Sequence, residues 1–194
     1  NSQQDVNIHW LVSAPNVEGD NLGKRRNDLM ENVQTEFIMN IDDDDFLLHD
    51  YALINAIEEL RHNPHVSASI GRIITKLPDN TYETWNEYPV RGKTSYQLPQ
   101  GIYNRKDLIE KISIDKIIPV YSGATVYRNN DNLRWSESLD VYEDLYALLS
   151  GINDNFIMSA DIRYVYRNHD KNIMLSFTDA EKEHGLNYVL KQFN

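Results

Sequence analysis

The sequence IMNIDDDDFLLHD, residues Ile38–Asp50, places four consecutive carboxylates directly after an apolar run. Four adjacent like charges at the end of a buried strand repel one another, and a bound divalent cation is the simplest compensation. A solvated turn before a helix accounts for only one or two of them, through the favourable field of the helix N-terminus. An EF-hand loop beginning at Asp42 fails, because Leu47 occupies the sixth position, where that loop needs glycine. The stretch therefore predicts a metal site at the end of a strand.

The segments around the acidic run alternate between strand-like and helix-like patterns. VNIHWLV, residues Val6–Val12, is a short apolar run that ends at turn residues, which is typical of a buried strand. We predict a helix over residues 21–34, a strand over Glu36–Ile41 and a second helix over Asp50–Leu60. This order is typical of an α/β unit with parallel strands, in which ligands bind beyond the carboxyl ends of the strands. The acidic run is therefore expected at the edge of the sheet where ligands bind.

The rest of the chain continues with strands and helices. Residues 65–77 and 81–90 indicate strands and loops of mixed direction, whose order the pattern does not fix. The later segments are a strand over Tyr121–Arg128, a helix over 140–151, a strand running into a loop over 160–170, and a terminal helix over 178–193. No repeat or linker interrupts this order, so we predict one domain over residues 1–194.

Composition limits the function classes. The chain has 194 residues, 41% of them hydrophobic, which is enough for one sizeable core. With 30 acidic and 19 basic residues the formal net charge is −11, so we expect no nucleic-acid partner. The absence of cysteine excludes disulfides, thiolate metal sites and a cysteine nucleophile, and it fits a reducing compartment. No stretch has the apolar length of a membrane span, and we expect a soluble, cytoplasmic protein without a transmembrane segment.

Four segments, taken in order, resemble GT-A glycosyltransferases of the family-two type. GKRRNDLMENVQTEFIMNIDDDDF, residues 23–46, resembles the part of that family in which a G-x-x-R-N helix precedes a strand ending in a D-x-D motif. Residues 1–12 are similar to the second strand unit of the fold, residues 135–152 resemble the segment that carries the catalytic base, and residues 164–172 resemble a C-terminal loop with a histidine.

The resemblance implies an α/β fold of GT-A type. Such a domain has a Rossmann-like, mixed and mainly parallel sheet flanked by helices, and the first strand and helix are expected to be missing here. Residues 1–62 would form the half that binds the donor and the metal. Residues 63–194 would form the half that binds the acceptor and carries the catalytic base.

The resemblance also implies a sugar-nucleotide donor and a divalent metal. Asp42 and Asp44 match the two acidic positions of D-x-D, with Asp44 as the direct metal ligand and Asp42 or Asp43 nearer the ribose. Asp45 is then expected to be structural. His169 would be the third protein ligand, although a lone histidine in a polar stretch is otherwise a surface residue. Oxygen donors with one imidazole suit Mn²⁺ or Mg²⁺ and favour Mn²⁺.

Asp144 matches the position of the catalytic base, and Glu143 would orient it or contact the acceptor. A general base would take the proton of the acceptor hydroxyl as its oxygen attacks the anomeric carbon. A purely structural alternative is open, in which Asp140 caps the helix, Glu143 completes a capping box, and Asp144 lies in a favourable first turn.

The basic cluster Lys24, Arg25 and Arg26 is unusual in an acidic chain. It can be ordinary helix surface, with Asp28 and Glu31 as partners at near-helical spacing. The resemblance instead directs Arg26 toward the nucleotide, helped by Arg25 or Asn27.

Candidate acceptor contacts come from small and aromatic residues. Gly123 and Ser122 lie where related enzymes approach the acceptor. Aromatic side chains can stack on a pyranose ring or belong to the core, and the sequence does not separate these cases; they are Trp85, Tyr88, Tyr96 and Trp135.

These observations predict a metal-dependent glycosyltransferase of the hexosyltransferase type, active in glycan or polysaccharide synthesis. It would transfer a sugar, with inversion, from a nucleotide diphosphate, for which UDP is the expected nucleotide, to a hydroxyl of a glycan or other acceptor. Two alternatives are a metal-dependent phosphohydrolase and a noncatalytic, degenerate nucleotide-binding domain.

Overall fold

The computed structural model describes residues 6–12, 21–84, 89–90, 93–94, 97–115, 118–169 and 176–193. The first half contains α1 (Leu22–Met30), β1 (Phe37–Met39), β2 (Phe46–Leu47), α2 (Ala52–His62), β3 (Val66–Lys76), β4 (Tyr82–Thr84), β5 (Pro89–Val90) and β6 (Lys93–Thr94). The second half contains β7 (Gly101–Asn104), α3 (Arg105–Asp115), a 3-10 turn (Ser122–Ala124), β8 (Thr125–Arg128), α4 (Glu143–Gly151), β9 (Asn155–Arg167) and α5 (Asp179–Phe193).

A seven-stranded mixed sheet forms the centre of the domain. Its main path is β1-β8-β3-β9-β2, with β4 added beside β3 and β7 beside β9. The long strands β3 and β9 are parallel, whereas the other five pairings among the described strands of this sheet are antiparallel. Antiparallel pairing needs no helical crossover, and the short strands β2, β4 and β7 all use it. The mixed α/β class is confirmed, but the parallel part of the sheet is smaller than the sequence suggests.

Helices cover both faces of this sheet. Residues next to each other along β8 and β9 point to opposite faces, because side chains alternate along a strand. Val126 and Ile157 pack with Ala56 and Leu60 of α2. On the other face, Tyr127, Phe156 and Met158 pack against buried side chains of α3, α4 and α5, among them Leu108, Ile112, Leu145, Leu148, Leu186 and Val189. This second core anchors α4, which carries the predicted catalytic base.

The segment Val6–Val12 is not the buried strand predicted from its apolar pattern. It has no strand assignment, and Trp10 and Val12 are 60% and 80% exposed. An apolar run forms a buried strand only beside a partner strand, and no strand in the described part of the chain pairs with this one. The first helix ends at Met30 and the next strand spans Phe37–Met39, so both elements are shorter than predicted. In the ranges given above, no helix is both long enough and apolar enough to cross a membrane.

Candidate active site

The four aspartates follow β1 and form a turn that leads into β2. The Asp45 backbone N–H donates to the Asp42 carbonyl oxygen at 3.1 Å, which closes the turn. Asp43 is exposed, and the side chains of Asp42 and Asp44 are 45% and 44% exposed. Asp45, in contrast, is only 8% exposed. The run therefore presents three carboxylates to solvent and directs the fourth into the protein.

Asp45 binds the end of β9. Its Oδ2 accepts a hydrogen bond from the Tyr164 hydroxyl at 2.8 Å, and its Oδ1 accepts one from the Arg167 backbone N–H at 2.8 Å. Burial raises the pKa of Asp45 to about 6, although both hydrogen bonds oppose that change. The carboxylate is thus used inside the fold, in line with the structural role expected for it.

Asp44 and His169 meet at the same end of β9. His169 Nε2 lies 2.6 Å from Asp44 Oδ2, and the Arg167 Nε donates to the Asp44 carbonyl oxygen. Two of the three predicted metal ligands, separated by 125 positions in the sequence, are therefore in direct contact.

Arg26 connects the acidic turn with the start of α4. Its Nη2 lies 2.7 Å from Asp42 Oδ1, and its Nη1 lies 3.0 Å from Glu143 Oε1. The Arg26 side chain is only 9% exposed, and its guanidinium lies 5.9 Å from the centre of the Trp135 ring. Oδ1 of Asp42 is consequently engaged by Arg26, and in the described part of the chain Asp42 does not complete a group of three metal-ligating side chains with Asp44 and His169.

The position of Arg26 is fixed by its neighbours in the G-x-x-R-N motif. The Asn27 side chain donates to the Trp135 carbonyl oxygen at 3.0 Å and to Glu137 Oε1 at 2.9 Å, and its Oδ1 accepts from the Trp135 N–H at 2.9 Å. A Cβ atom at Gly23 would collide with the Ser136 carbonyl oxygen. Glycine and asparagine therefore hold α1 against the 135–137 loop, and the arginine between them points to the carboxylates.

Asp144 lies in the first turn of α4. Its Oδ1 accepts from the Leu145 N–H at 2.7 Å, and its Oδ2 accepts from the Ser122 hydroxyl at 3.4 Å. The residue before the helix is Tyr142, which has φ 65° and makes no side-chain cap. Asp140 is therefore not the helix cap that the structural alternative required. A left-handed tyrosine costs about 1–2 kcal/mol, and such strain is often found at functional sites.

The carboxyl groups of Glu143 and Asp144 both titrate above their ordinary range. Burial raises the pKa of Asp144, and the positive charge of Arg26 opposes this. Burial and the negative charge of Asp144 raise the pKa of Glu143 to about 7, again against Arg26. Two neighbouring carboxyls of this kind titrate as a pair, and a raised pKa makes a carboxylate a better proton acceptor near neutral pH.

Tyrosines surround the predicted acceptor residue Gly123, which is buried. A Cβ at this position would lie 2.7 Å from Tyr121 Cε1 and 3.0 Å from the Tyr164 hydroxyl. The Tyr121 ring centre is 5.6 Å from that of Tyr164 and 5.9 Å from that of Tyr166. This cluster is not among the residues predicted from the sequence, although the spacing of two in YVYR places Tyr164 and Tyr166 on one face of β9.

The other predicted residues are more scattered. Trp135 is 5% exposed and so belongs to the core rather than to an open stacking surface. Arg25 is partly exposed, and its buried Nε has no hydrogen-bond partner among the described residues. The candidate acceptor residue Trp85 lies outside the described residues, as do Tyr88 and Tyr96.

The donor set can be compared with what a divalent cation needs. The described ranges contain no group of three or more histidine, aspartate or glutamate side chains that could hold a metal ion. However, Mg²⁺ in phosphate-transfer sites is usually held by one or two carboxylates together with substrate phosphates and water. Asp44 and His169 are in contact, and their side chains are 44% and 38% exposed. The donor types fit such a cation, which would have to replace the direct contact between Asp44 Oδ2 and His169 Nε2, with substrate oxygens completing its coordination.

Comparisons with known proteins identify the fold. No protein-family model and no curated protein matches the chain. Solved structures of Staphylococcus aureus TarS are similar to it. The complex of TarS with UDP-GlcNAc has a TM-score of 0.55 and 16% identity, covering 89% of this chain and 52% of that one. A second TarS structure has a TM-score of 0.53 and 17% identity, covering 89% and 30%. The complex with UDP has a TM-score of 0.51 and 16% identity, covering 89% and 50%.

The chain therefore spans about half the length of these structures or less. At such low identity, the similarity shows a shared fold. That fold is the α/β arrangement of GT-A type predicted from the sequence.

Proposed function

We propose that this chain is a glycosyltransferase domain that moves a sugar from a nucleotide diphosphate to an acceptor hydroxyl. The observation that supports this most strongly is the Arg26 bridge between Asp42 and Glu143, at 2.7 and 3.0 Å. It joins the acidic turn to the carboxyl pair of α4, so that the candidate donor site and the candidate base belong to one site. Two of the TarS structures hold UDP-GlcNAc and UDP, which makes UDP-GlcNAc the first donor to test.

Asp144 is the proposed general base. Its carboxylate would accept the proton of the acceptor hydroxyl while the hydroxyl oxygen forms a bond to the anomeric carbon and the bond to the diphosphate breaks. A single displacement of this kind inverts the anomeric carbon. The raised pKa of Asp144 suits this role, and the Ser122 hydroxyl and the Leu145 N–H hold the carboxylate in one orientation.

Asp44 and His169 are the proposed protein ligands of a divalent cation, with Mn²⁺ as the first candidate. When bound, the cation would neutralise the diphosphate as it leaves. Asp42 contacts Arg26 through Oδ1 and remains a candidate ligand through its other carboxylate oxygen. Asp43, which is exposed on the same turn, remains a candidate for the ribose, and Arg25 remains one for the nucleotide.

A thermal-shift experiment tests donor binding. UDP and UDP-GlcNAc, each with and without Mn²⁺, should raise the melting temperature most when nucleotide and metal are both present, because a ligand that binds only the folded state stabilises it. Asp44→Ala should remove the part of the shift that needs Mn²⁺. Glu58→Gln, on the exposed face of α2, is a matched control that should keep it.

Other outcomes would favour the alternatives. Phosphate release from simple phosphoesters without an acceptor would indicate a hydrolase. Binding of UDP with Mn²⁺ but no turnover of any UDP-sugar would indicate a noncatalytic domain. A folded protein with no shift for any nucleotide would contradict the proposed function.

A further inference from the structure

The strand β2, which follows the acidic turn, pairs with the end of β9, and this short hydrogen-bonded ladder stops at Asp45. Phe46 pairs with Val165 and Leu47 with Tyr164 in antiparallel register. Beyond the Phe46–Val165 pair, the Arg167 N–H donates to the Asp45 carboxylate at 2.8 Å. A side-chain carboxylate thus accepts the hydrogen bond at the open end of the ladder.

A second hydrogen bond joins the Asp45 carboxylate to β9. The Tyr164 hydroxyl donates to Asp45 Oδ2 at 2.8 Å, and Tyr164 itself is 0% exposed. Tyr164 packs in a core cluster with Ile73 and Ala124, which fixes its position. Asp45 therefore connects the turn to the core of the domain through one hydrogen bond and to the end of β9 through the other.

Both residues of the contacting pair lie close to these hydrogen bonds in sequence. Asp44 directly precedes Asp45, and His169 follows Arg167 by two positions. The distance of 2.6 Å between Asp44 Oδ2 and His169 Nε2 requires the turn and the end of β9 to keep a fixed separation.

We propose that Asp45 is a positioning residue, whose two hydrogen bonds hold Asp44 and His169 face to face as a ligand pair for a divalent cation. The role of Asp44 and His169 as metal ligands rests on the proposed function. Their positioning by Asp45 can be tested without donor, metal or turnover.

Three variants separate positioning from general stability. Asp45→Ala removes both hydrogen bonds. Asp45→Asn can keep both, because its Oδ1 can accept from the Arg167 N–H while its Nδ2 donates to the Tyr164 oxygen. Tyr164→Phe keeps the ring in the core and the bond between Asp45 and the Arg167 N–H, but removes the hydroxyl bonds with the Asp45 carboxylate and the Asp42 backbone.

The first readout is the ¹⁵N and ¹H side-chain spectrum of His169 in protein labelled at histidine, at one fixed pH and without metal or nucleotide. His169→Gln assigns the signal. We expect Asp45→Ala to move the signal to the position of a solvent-exposed histidine, Tyr164→Phe to move it in the same direction, and Asp45→Asn to leave it unchanged. An unchanged signal in folded Asp45→Ala would overturn the proposal. If Asp45→Ala does not fold, an unchanged signal in Tyr164→Phe would overturn it.

The second readout is the affinity for Mn²⁺ alone, measured by the loss of the free-ion electron paramagnetic resonance signal. Residues that orient metal ligands typically change metal affinity by about 10- to 100-fold. We expect Asp45→Ala to weaken Mn²⁺ binding about tenfold or more and Asp45→Asn to stay within about threefold. If the wild type binds no Mn²⁺ and gives no nucleotide shift, the proposed function fails, and the His169 spectrum still decides the role of Asp45.

Discussion

Two buried arginines, Arg26 and Arg163, each contact two carboxylates, but they lie in different surroundings. The Arg163 side chain is 0% exposed between α2 and the sheet. Its Nη2 lies 3.1 Å from Glu59 Oε2, its Nε lies 3.7 Å from Asp161 Oδ2, and its Nη1 donates to the Ser69 hydroxyl at 3.0 Å. Glu59 also accepts short hydrogen bonds from two serine hydroxyls. The guanidinium is thus fully buried, while the Glu59 and Asp161 side chains are 30% and 18% exposed.

Arg26 is also buried, but one of its two carboxylate partners lies on a more exposed turn. Its side chain is 9% exposed and Glu143 is 12% exposed, whereas the Asp42 side chain is 45% exposed on a turn. Arg26 therefore connects the interior to a surface that a ligand can reach. We therefore expect Arg163 to stabilise the fold and propose that Arg26 serves the candidate site, and each assignment can be tested separately.

Replacing Arg163 should have the largest effect on stability. Arg163→Met keeps much of the apolar stem but leaves the Glu59 carboxylate without its cation. Because Glu59 is 30% exposed, we expect a loss of about 3 kcal/mol, the low end of the range for breaking a buried pair. Urea unfolding followed by circular dichroism measures the loss. A change below about 1 kcal/mol, the usual value of an exposed ion pair, would contradict the assignment of Arg163 as the arginine that stabilises the fold.

Gly71 provides a second test of the same network. A Cβ at this position in β3 would collide with the Arg163 side chain, so Gly71→Ala should destabilise the fold by about 1–3 kcal/mol. In an Arg163→Ala background the collision is gone, and the cost of Gly71→Ala should largely disappear. The two single variants and the double variant form a mutant cycle. If the losses of unfolding free energy in the two single variants simply add in the double variant, the Arg163 stem is not the reason that position 71 needs glycine.

Replacing Arg26 should instead affect the reaction. Arg26→Gln removes the charge that joins Asp42 to Glu143, and we expect sugar transfer to fall about 10- to 100-fold, or roughly 1.4–2.7 kcal/mol in the barrier. The unfolding free energy should fall by only about 1–2 kcal/mol, because Glu143 can take up a proton when its cation is lost.

Lys24→Gln is the matched control, since Lys24 lies two positions earlier on the same helix. Its side chain is 54% exposed, and its pair with Asp28 is 3.9 Å long. Transfer should stay within about twofold and stability within about 0.5 kcal/mol. Equal losses in the two variants would contradict a specific role for Arg26.

The dependence of kcat/KM on pH should change less than the transfer rate does, but in a defined direction. The proposed base must be ionised, so kcat/KM should rise with pH through the pKa of the Glu143–Asp144 pair. Burial raises the pKa of Asp144, while Arg26 and the Ser122 hydroxyl favour its ionised form and Asp42 disfavours it. The acid limb should therefore lie above the ordinary aspartate value of about 4. Arg26→Gln should move it to higher pH by about one unit, and an unchanged limb would contradict the coupling.

The sequence predicted the parts of the site that depend on local pattern. An acidic run after a strand and an acidic pair at the start of a helix are local features, and both are found as predicted. The prediction that His169 and Asp44 belong to one site rested on the resemblance to GT-A glycosyltransferases and not on a local pattern. The structural similarity to TarS supports that resemblance at the level of the fold.

Local sequence patterns do not predict contacts between residues that are far apart in the chain. The contact of Arg26 with Glu143 spans 117 positions and depends on how α1 packs against the 135–137 loop. Tyr142 was not foreseen as the residue before α4, because tyrosine rarely adopts a left-handed conformation and Asp140 has the better capping side chain. The apolar segment Val6–Val12 was misassigned because periodicity reports the preference for a strand but not the presence of a partner.

The most direct test of the central claim is sugar transfer from UDP-GlcNAc in the presence of Mn²⁺, measured for the wild type and for Asp144→Asn with a panel of hydroxyl acceptors. Loss of a general base typically costs about 10²- to 10⁴-fold, so transfer should fall by that factor, while donor binding by thermal shift stays close to that of the wild type. Full turnover by Asp144→Asn would contradict the assignment of the base and, with it, the proposed role of the site that Arg26 joins together.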